Sequence, residues 1–358
     1  MKPKQLKLMG TLVIGLMVLS ACGSGDSTDS TVGTVGTDNT SSPATSEAVS
    51  DGGTITVYTG RHYGIEPVFA QFTADTGIEV RFTTGNDPEL RERLIAEGAN
   101  TPADVIMTGD AANIELSAAA GVLANVNSDI LTETIPAELR SDANNWFALS
   151  QRARVVIAST ERVENPPTTY AEVGNPEWQG KLCLRPSTHP YTQSLVASLI
   201  ISEGEERATE IVRSWVDNDP LYIDSDTDIY NAIANGECDV AIANTYYLGR
   251  LLTENPAFPV EIVWPEQDGR GTHVNVSAAA VTANAPNPEG ALALIEWLAT
   301  KGQQQFSDAN FEYPADPNVK PNEIVAGFGE FTADLAAVRQ LGNNQPAAVK
   351  VLSAAGYQ

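Results

Sequence analysis

Two adjacent tyrosines, Tyr246 and Tyr247, stand directly after an apolar run that predicts a β-strand. An amphipathic helix buries roughly every third or fourth residue, so two neighbouring aromatic residues cannot both pack on its core-facing side. At least one of the two phenols must point elsewhere. A junction between a strand and a helix is a place where both phenols can meet one ligand.

Similar residues stand at two further junctions of this kind, Thr56–Gly64 and Lys181–Ile200. In open α/β sheets, ligands bind outside the carboxyl ends of the strands. The three junctions should therefore meet in one cleft. Together they supply six side chains that can bind a metal: His62, Tyr63, His189, Tyr191, Tyr246 and Tyr247.

A cluster of tyrosines favours ferric iron over other metals. A phenol, with a pKa of about 10, is a poor ligand at neutral pH unless the metal displaces its proton, as hard Fe³⁺ can. Zinc and copper favour cysteine or several histidines, and calcium favours a carboxylate-rich loop. Arginines would balance the charge of several phenolates. Arg250 lies one helical turn beyond the tyrosine pair, and Arg152 and Arg154 lie in a long predicted strand.

The beginning of the chain predicts export and a lipid anchor. Three lysines precede the apolar stretch 8–19, which is too short to span a membrane and is typical of a secretory signal. The residues 19–22, Leu-Ser-Ala-Cys, match the bacterial lipobox. Residues 1–21 are the predicted lipoprotein signal peptide, and residues 22–53 the predicted acylated Cys22 with a disordered tether. A plain signal peptide or an uncleaved anchor is the alternative.

The charge and the cysteines narrow the class of protein further. The net charge of −25 argues against nucleic acid and anionic membrane surfaces as partners, and favours solubility as its role. Besides Cys22, the chain has Cys183 and Cys238, each in a predicted strand shortly before a tyrosine junction. In an exported protein such a pair is most often a disulfide, which we predict here; a metal-binding role is the alternative.

Predicted strands and helices alternate from residue 54 to the end of the chain. This alternation predicts an α/β fold of mostly parallel sheets with helices on both faces, and a chain of this length usually forms two lobes. One helix start is predicted at the GNDPE turn, with Asp87 as the N-cap and Pro88 as the first helical residue.

Three stretches of the chain carry a resemblance to a known family: RHY (61–63), RPSTHPYTQSLVA (185–197) and ANTYYLGR (243–250). They resemble the ferric-iron-binding solute receptors of bacterial ABC importers, and in particular the cyanobacterial type, which binds iron mainly through tyrosines. The segments RLIAEGANTPADVIMTGD (93–110) and NPEWQGKLCLRPS (175–187) support this resemblance. It extends over nearly all of residues 54–358.

The resemblance implies a set of ligands for Fe(III) as bound cargo. Members of the family differ in whether a histidine binds and in whether an anion or a carboxylate completes the coordination. Because Asp87 and Glu89 are explained here by helix capping, we leave them out of the site. His189 and His273 are expected beside the site and in a structural position, respectively. The implied ligands are His62, Tyr63, Tyr191, Tyr246 and Tyr247, with Arg152 and Arg250 around them and Arg154 and Arg185 as weaker candidates.

The family also implies a class II periplasmic-binding-protein fold. The first lobe would comprise 54–148 plus 272–312 and the second 149–271 plus 313–358, joined by a two-strand hinge near Arg152–Ala158 and His273–Val281. Closure about such a hinge can enclose a ligand. The implied protein is a monomer, held on the outer side of the cytoplasmic membrane, that passes iron to an ABC permease.

Two other functions are compatible with parts of the pattern. The same fold could bind an organic cation or an oxyanion, because aromatic boxes hold organic cations through cation–π contacts. A hydrolase or redox enzyme is a more remote alternative. The sequence contains no Gly-x-Ser-x-Gly, His-Glu-x-x-His or Cys-x-x-Cys motif, so we predict a binding protein and not an enzyme.

Overall fold

A computed structural model of the chain describes residues 53–61 and 64–358. The predicted signal peptide, Cys22 and residues 23–52 of the predicted tether lie outside these ranges, as do two of the predicted iron ligands, His62 and Tyr63. Across the described ranges, no helix has the length and apolar character needed to cross a membrane.

The described ranges contain short and long strands in alternation with helices. The strands are β1 (Thr54–Thr59), β2 (Glu79–Thr84), β3 (Val105–Thr108), β4 (Phe147–Ser159), β5 (Leu182–Leu184), β6 (Leu221–Tyr222), β7 (Val240–Asn244), β8 (Val260–Val263), β9 (Thr272–Val281), β10 (Tyr313–Pro314) and β11 (Ala333–Asp334).

Helices connect most of the strands along the chain. They are α1 (Glu66–Thr76), α2 (Asp87–Glu97), α3 (Ala111–Ala119), α4 (Asp129–Thr134), α5 (Pro190–Glu203), α6 (Glu205–Asp217), α7 (Asp226–Asn235), α8 (Thr245–Glu254), α9 (Pro288–Ala299), α10 (Gln303–Asp308), α11 (Glu323–Ala326) and α12 (Leu341–Ala355). Short 3₁₀ turns connect several of them.

The strands form one continuous mixed sheet in the order β2-β1-β3-β9-β4-β7-β5-β6. The prediction of mostly parallel sheets was wrong: half of the ten pairings in the described ranges are antiparallel, and all five of these involve β4 or β9. The outer pairs, such as β1 with β2 and β5 with β7, are parallel as expected. The difference lies at the two long central strands, because β4 runs antiparallel to each of its partners and β9 runs antiparallel to β3 and β4.

The two long strands divide the sheet into halves. The first part of β4 pairs with β9 up to Ala153, and its second part pairs with β7 and β8 from Arg154 onward. Every residue of β9 is buried, and so is every residue of β4 except Gln151. Strands covered on both faces lack the alternation of polar and apolar residues that marks a half-exposed strand. The hinge at these two strands and the lobe boundaries stay predictions.

The start of α2 differs from the sequence-based expectation. Asn86 is the N-cap: its backbone is extended and its side chain accepts a hydrogen bond from the Glu89 N–H at 3.0 Å. Asp87 is already helical, and its carboxylate accepts a hydrogen bond from the Gly109 N–H at 2.7 Å. Both residue types suit an N-cap, so the choice between these neighbours comes from the packing of β1 against β3, which places Gly109 beside Asp87. Capping therefore does not explain the Asp87 side chain.

The predicted disulfide between Cys183 and Cys238 is confirmed, with the two Cα atoms 5.9 Å apart. Cys183 lies in β5, and Cys238 precedes β7, the parallel neighbour of β5. Each of these strands leads into a helix whose second residue is a tyrosine, α5 or α8. The bond thus ties together the two strands that position these tyrosines.

Replacing both cysteines by alanine should destabilise the protein without changing its fold. The bond closes a segment with a sequence separation of 55 residues. In the chain-entropy description, a loop of that length contributes about 4 kcal/mol to the free energy of unfolding. Urea unfolding of the wild type with and without reductant, and of the double variant, measures this. We expect reductant to lower the wild-type midpoint to that of the variant, which itself does not respond; equal midpoints throughout would contradict the prediction.

Candidate metal centre

The tyrosine pair lies where β7 ends and α8 begins. All five residues of β7 are buried, and Asn244 at its end is the N-cap of α8. Tyr246 is 2% exposed and Tyr247 is partly buried. Their rings stack with centroids 4.2 Å apart and planes inclined by 29°. The junction therefore holds both rings side by side at the carboxyl end of the strand.

The second junction brings Tyr191 to the same place. The helix α5 begins at Pro190, and His189 caps it by accepting a hydrogen bond from the Tyr191 N–H at its Nδ1, 3.2 Å away. The hydroxyl oxygen of Tyr191 lies 2.8 Å from that of Tyr246. Two residues that are 55 positions apart in sequence are thus in direct hydroxyl contact, as the position of both junctions at strand ends predicts.

The environment of Tyr191 keeps its hydroxyl protonated. Burial raises the pKa of Tyr191 well above its ordinary value, and Tyr247 acts in the same direction. Arg152 and the hydrogen bond with Tyr246 oppose the rise without cancelling it. A phenol in this position becomes a phenolate when a strong cation replaces its proton. The site therefore suits a highly charged metal ion, which can displace the phenol proton, better than an ion of low charge.

Two arginines face the tyrosines from different sides. The Cζ atom of Arg250 lies 5.2 Å from the ring centroid of Tyr246 and 5.5 Å from that of Tyr247. Burial lowers the pKa of Arg152, but the nearby carboxylate of Glu312 acts together with other groups to raise the pKa overall. The phenols of Tyr191 and Tyr246 also raise it. Both arginines would favour negatively charged phenolates.

The other two arginine candidates have structural partners. Arg154 donates to Asp226 and to the side chain of Asn244, both at 3.1 Å, although its Cζ also lies 5.7 Å from the Tyr191 ring centroid. Arg185 forms an ion pair with Asp226 at 3.7 Å. Asp226 is fully buried, and its single carboxylate is shared by two buried guanidinium groups. The sequence analysis missed Asp226, because an acidic residue in the first turn of a helix is ordinary there.

Neither described histidine is placed as a direct partner of the phenol oxygens. The ring of His189 packs edge-on against the Tyr191 ring at 4.4 Å. Burial lowers the pKa of His189 to about 3, and Arg185 and Arg154 act in the same direction, so the ring is neutral. His273 is buried in β9, where its Nε2 lies 3.1 Å from the Ser194 hydroxyl. Burial also lowers the pKa of His273 well below its ordinary value.

Asp87 is a second side chain that the sequence analysis left out. One of its carboxylate oxygens accepts from Gly109, and the other has no hydrogen-bond partner in the structure and points at Gly60, where a Cβ would lie only 1.9 Å away. Burial and the neighbouring Asp110 raise the pKa of Asp87 to about 7, while the Gly109 N–H and Arg152 oppose the rise. The sequence did contain a signal for this carboxyl group. It is Gly60 in the pattern Thr-Gly-Arg before His62, since only glycine fits beside Asp87.

The described ranges contain no group of three or more His, Cys, Asp and Glu side chains that could hold a metal ion. The side-chain oxygens that meet at the ends of β5 and β7 are instead the hydroxyls of Tyr191 and Tyr246. Of the predicted ligands, the structure brings Tyr191, Tyr246 and Tyr247 together, and it places Arg152 and Arg250 beside them. The predicted ligands His62 and Tyr63 follow Arg61 in sequence, outside the described ranges.

Comparisons with known proteins identify the family of the chain. Residues 68–333 match the family described as bacterial extracellular solute-binding protein. Iron uptake protein A1 of Synechocystis sp. is 38% identical over 360 residues, which cover 97% of this chain and 95% of that protein. Iron uptake protein A2 of the same organism is 37% identical and covers 87% of this chain and 92% of its own length.

Solved structures extend the similarity to three dimensions. A Trichodesmium IdiA (FutA) structure in complex with iron and citrate is 37% identical, with a TM-score of 0.80 over 85% of this chain and 100% of that one. This match confirms the predicted two-lobe α/β fold. The similar proteins are named for iron uptake and ferric binding, which confirms the prediction of a binding protein and not an enzyme. The chain therefore belongs to the bacterial extracellular solute-binding protein family.

Proposed function

We propose that this chain is a lipid-anchored receptor that binds Fe³⁺ between two lobes through tyrosinate oxygens and delivers it to an ABC iron importer. The observation that carries the proposal is the 2.8 Å contact between the hydroxyl oxygens of Tyr191 and Tyr246. Two oxygen ligands at right angles, each about 2 Å from one ion in an octahedral site, lie about 2.8 Å apart. One Fe³⁺ can therefore replace the shared proton with little movement of either ring.

The proposed ligands are those that the sequence analysis named: His62, Tyr63, Tyr191, Tyr246 and Tyr247. Four phenolates and a neutral imidazole around Fe³⁺ leave one net negative charge, and Arg152 and Arg250 are placed to balance it. The names of the Synechocystis relatives support iron as the cargo. The name Fe(3+)-binding periplasmic protein, borne by a more distant relative from Serratia marcescens, supports the ferric state and the periplasmic location.

The proposed mechanism is capture and release without turnover. Iron binds at the crossing of β4 and β9, and the lobes 54–148 plus 272–312 and 149–271 plus 313–358 close about that crossing. Phenolates hold the ion tightly at neutral pH because the ion has displaced their protons. A permease that reopens the lobes, or protons that return to the phenolates, would release it. We propose that the receptor acts as a monomer on the periplasmic side.

A visible absorption spectrum tests the cargo and the ligands together. Ferric citrate added to the soluble form, which starts after Cys22, should produce a phenolate-to-iron charge-transfer band that saturates at one equivalent. Tyr246→Phe should lower the affinity at least about a hundredfold, because losing even a supporting partner of a ligand costs 10–100-fold. The matched control is Tyr222→Phe, which removes the hydroxyl of a tyrosine that packs on Tyr357, and it should bind as the wild type does.

Either of two results would contradict this assignment. Wild-type affinity in both Tyr246→Phe and Tyr247→Phe would remove the pair from the site. A wild type with no band and no thermal stabilisation by iron would favour the organic-cation or oxyanion alternative. In that case the same thermal shift, measured with organic cations and phosphonates, would identify the ligand class.

Iron should be lost as the pH falls. Binding displaces phenol protons, so acid favours the protonated, iron-free form, and the affinity should fall up to about tenfold per pH unit for each proton displaced. The charge-transfer band followed from pH 8 to pH 4 measures the loss. Circular dichroism of the iron-free protein over the same range is the control for unfolding. A band that persists at strongly acidic pH would be incompatible with tyrosinate ligation.

Lipid anchoring is tested at Cys22. In a bacterial host that processes lipoproteins, the full chain should enter the detergent phase when the membranes are dissolved and the phases separated. Cys22→Ala should leave it in the aqueous phase, because acylation requires the thiol and one acyl chain adds about 0.8 kcal/mol of membrane affinity per buried methylene. Equal partition of both forms would exclude the lipid anchor.

A further inference from the structure

Three consecutive residues, Asn310, Phe311 and Glu312, connect α10 to β10 and contact both sides of the metal centre. We call them the clasp. Asn310 and Glu312 are each 2% exposed. Phe311 has a φ of 54°, which is uncommon for a residue other than glycine, and the surrounding hydrogen bonds hold it there: the Phe311 N–H donates to Asp308 and the Glu312 N–H to Ser307. The clasp is thus a rigid connection.

One side of the clasp contacts the tyrosine helix α8 in two places. The side-chain oxygen of Asn310 accepts a hydrogen bond from Arg250, the arginine that lies over the rings of Tyr246 and Tyr247. The Phe311 side chain packs directly on Gly249, where a Cβ would lie 2.8 Å from the Phe311 Cβ. The glycine of the LGR motif therefore has a packing reason, since it lets the clasp approach the helix.

The other side of the clasp holds the segment that follows β1. The Asn310 amide donates to one carboxylate oxygen of Glu312 at 2.8 Å, and the other oxygen forms an ion pair with Arg61 at 2.7 Å. Arg61 is 2% exposed, donates to Ser150 of β4 at 2.7 Å and lies 4.3 Å from the Phe306 ring centroid. Arg61 directly precedes His62 and Tyr63 in sequence.

We propose that the clasp positions the tyrosine helix α8 relative to the segment at Arg61 and thereby slows the release of bound iron. The inference rests on the proposed function and adds positioning residues to it. A continuous path runs from Arg250 through Asn310 and Glu312 to Arg61, every member of it hydrogen-bonded to the next. Breaking one bond in a buried network loosens the whole path. Arg250 then loses its hydrogen bond with Asn310, and α8 and Arg61 are no longer connected through the clasp.

The test uses neutral substitutions, because a change at Glu312 would also alter the charge near the phenolates. Asn310→Ala removes the bridge, and Asn218→Ala is its matched control. Asn218 is also buried and donates from its side chain to two backbone carbonyl groups, those of Val173 and Asn175. Gly249→Ala pushes Phe311 away while replacing a helical glycine by a better helix former. The readouts are the rate at which a chelator in excess removes iron and the position of the charge-transfer band.

We expect iron to leave Asn310→Ala and Gly249→Ala at least about tenfold faster than the wild type, in line with losses of supporting partners at other metal sites. The band of Asn310→Ala should also shift, because Arg250, which lies over the two rings, loses its hydrogen bond with Asn310. Asn218→Ala should melt at a lower temperature yet release iron at the wild-type rate.

The outcomes separate this inference from the function on which it rests. If the wild type shows the band and Asn310→Ala releases iron as slowly as Asn218→Ala, the clasp has a structural role alone and the inference is overturned. If Asn310→Ala and Gly249→Ala both release iron faster than their melting temperatures explain, it is supported. If the wild type binds no iron, the proposed function fails and the clasp proposal fails with it.

Discussion

Two long strands, β4 and β9, run antiparallel through the middle of the sheet, and the other strands lie on either side of this pair. The strands are buried along nearly their whole length, so a change of register would turn buried side chains toward different partners. Ser150 stands opposite Ser277 in this register, and Arg152 opposite Asn275. The pairing thus decides which polar groups are presented at the crossing, where the strand–helix junctions of both halves of the sheet also end.

Burying positive charge at that crossing is the second constraint. Arg61, Arg152, Arg154 and Arg185 are each less than one-tenth exposed, in a chain whose net charge is −25. Buried guanidinium groups need partners, because an unpaired buried charge is strongly unfavourable. Asp226 forms ion pairs with Arg154 and Arg185, and Glu312 pairs with Arg61. Arg152 lies near Glu312 and near the phenols of Tyr191 and Tyr246, so positive charge is buried beside the tyrosines of an acidic protein.

This division of charge explains how one pocket can suit a trivalent cation. Without metal, burial holds the Tyr191 hydroxyl in its neutral form, and the arginines find their main partners among carboxylates. When phenolates form, the arginines that face them become counter-ions, and the protein need not move a charge into the site. The clasp adds a geometric constraint to this charge balance. Through buried side chains it connects Arg250 to the opposite half of the sheet.

Local patterns predicted several elements well. The strand ends and the helices that follow them were predicted from apolar runs and punctuating residues, and the disulfide from two cysteines in an exported chain. These features depend on neighbours in sequence. The N-cap of α2 was assigned to Asp87 and belongs to Asn86, because adjacent residues of equal capping ability are distinguished by what lies across the sheet. The antiparallel direction of β4 and β9 was missed because strand direction depends on partners that are distant in sequence.

By itself, the sequence determined the candidate residues for the chemistry. These are tyrosines at three predicted strand–helix junctions, arginines near them and a pair of cysteines, together with the family resemblance that these motifs carry. Tertiary structure alone decided their partners. It placed the Tyr191 hydroxyl against Tyr246, assigned Asp226 and Glu312 to particular arginines and set Phe311 on Gly249. The physical reason is distance along the chain. These partners are dozens to hundreds of residues apart, and the folded sheet brings together what no local pattern connects.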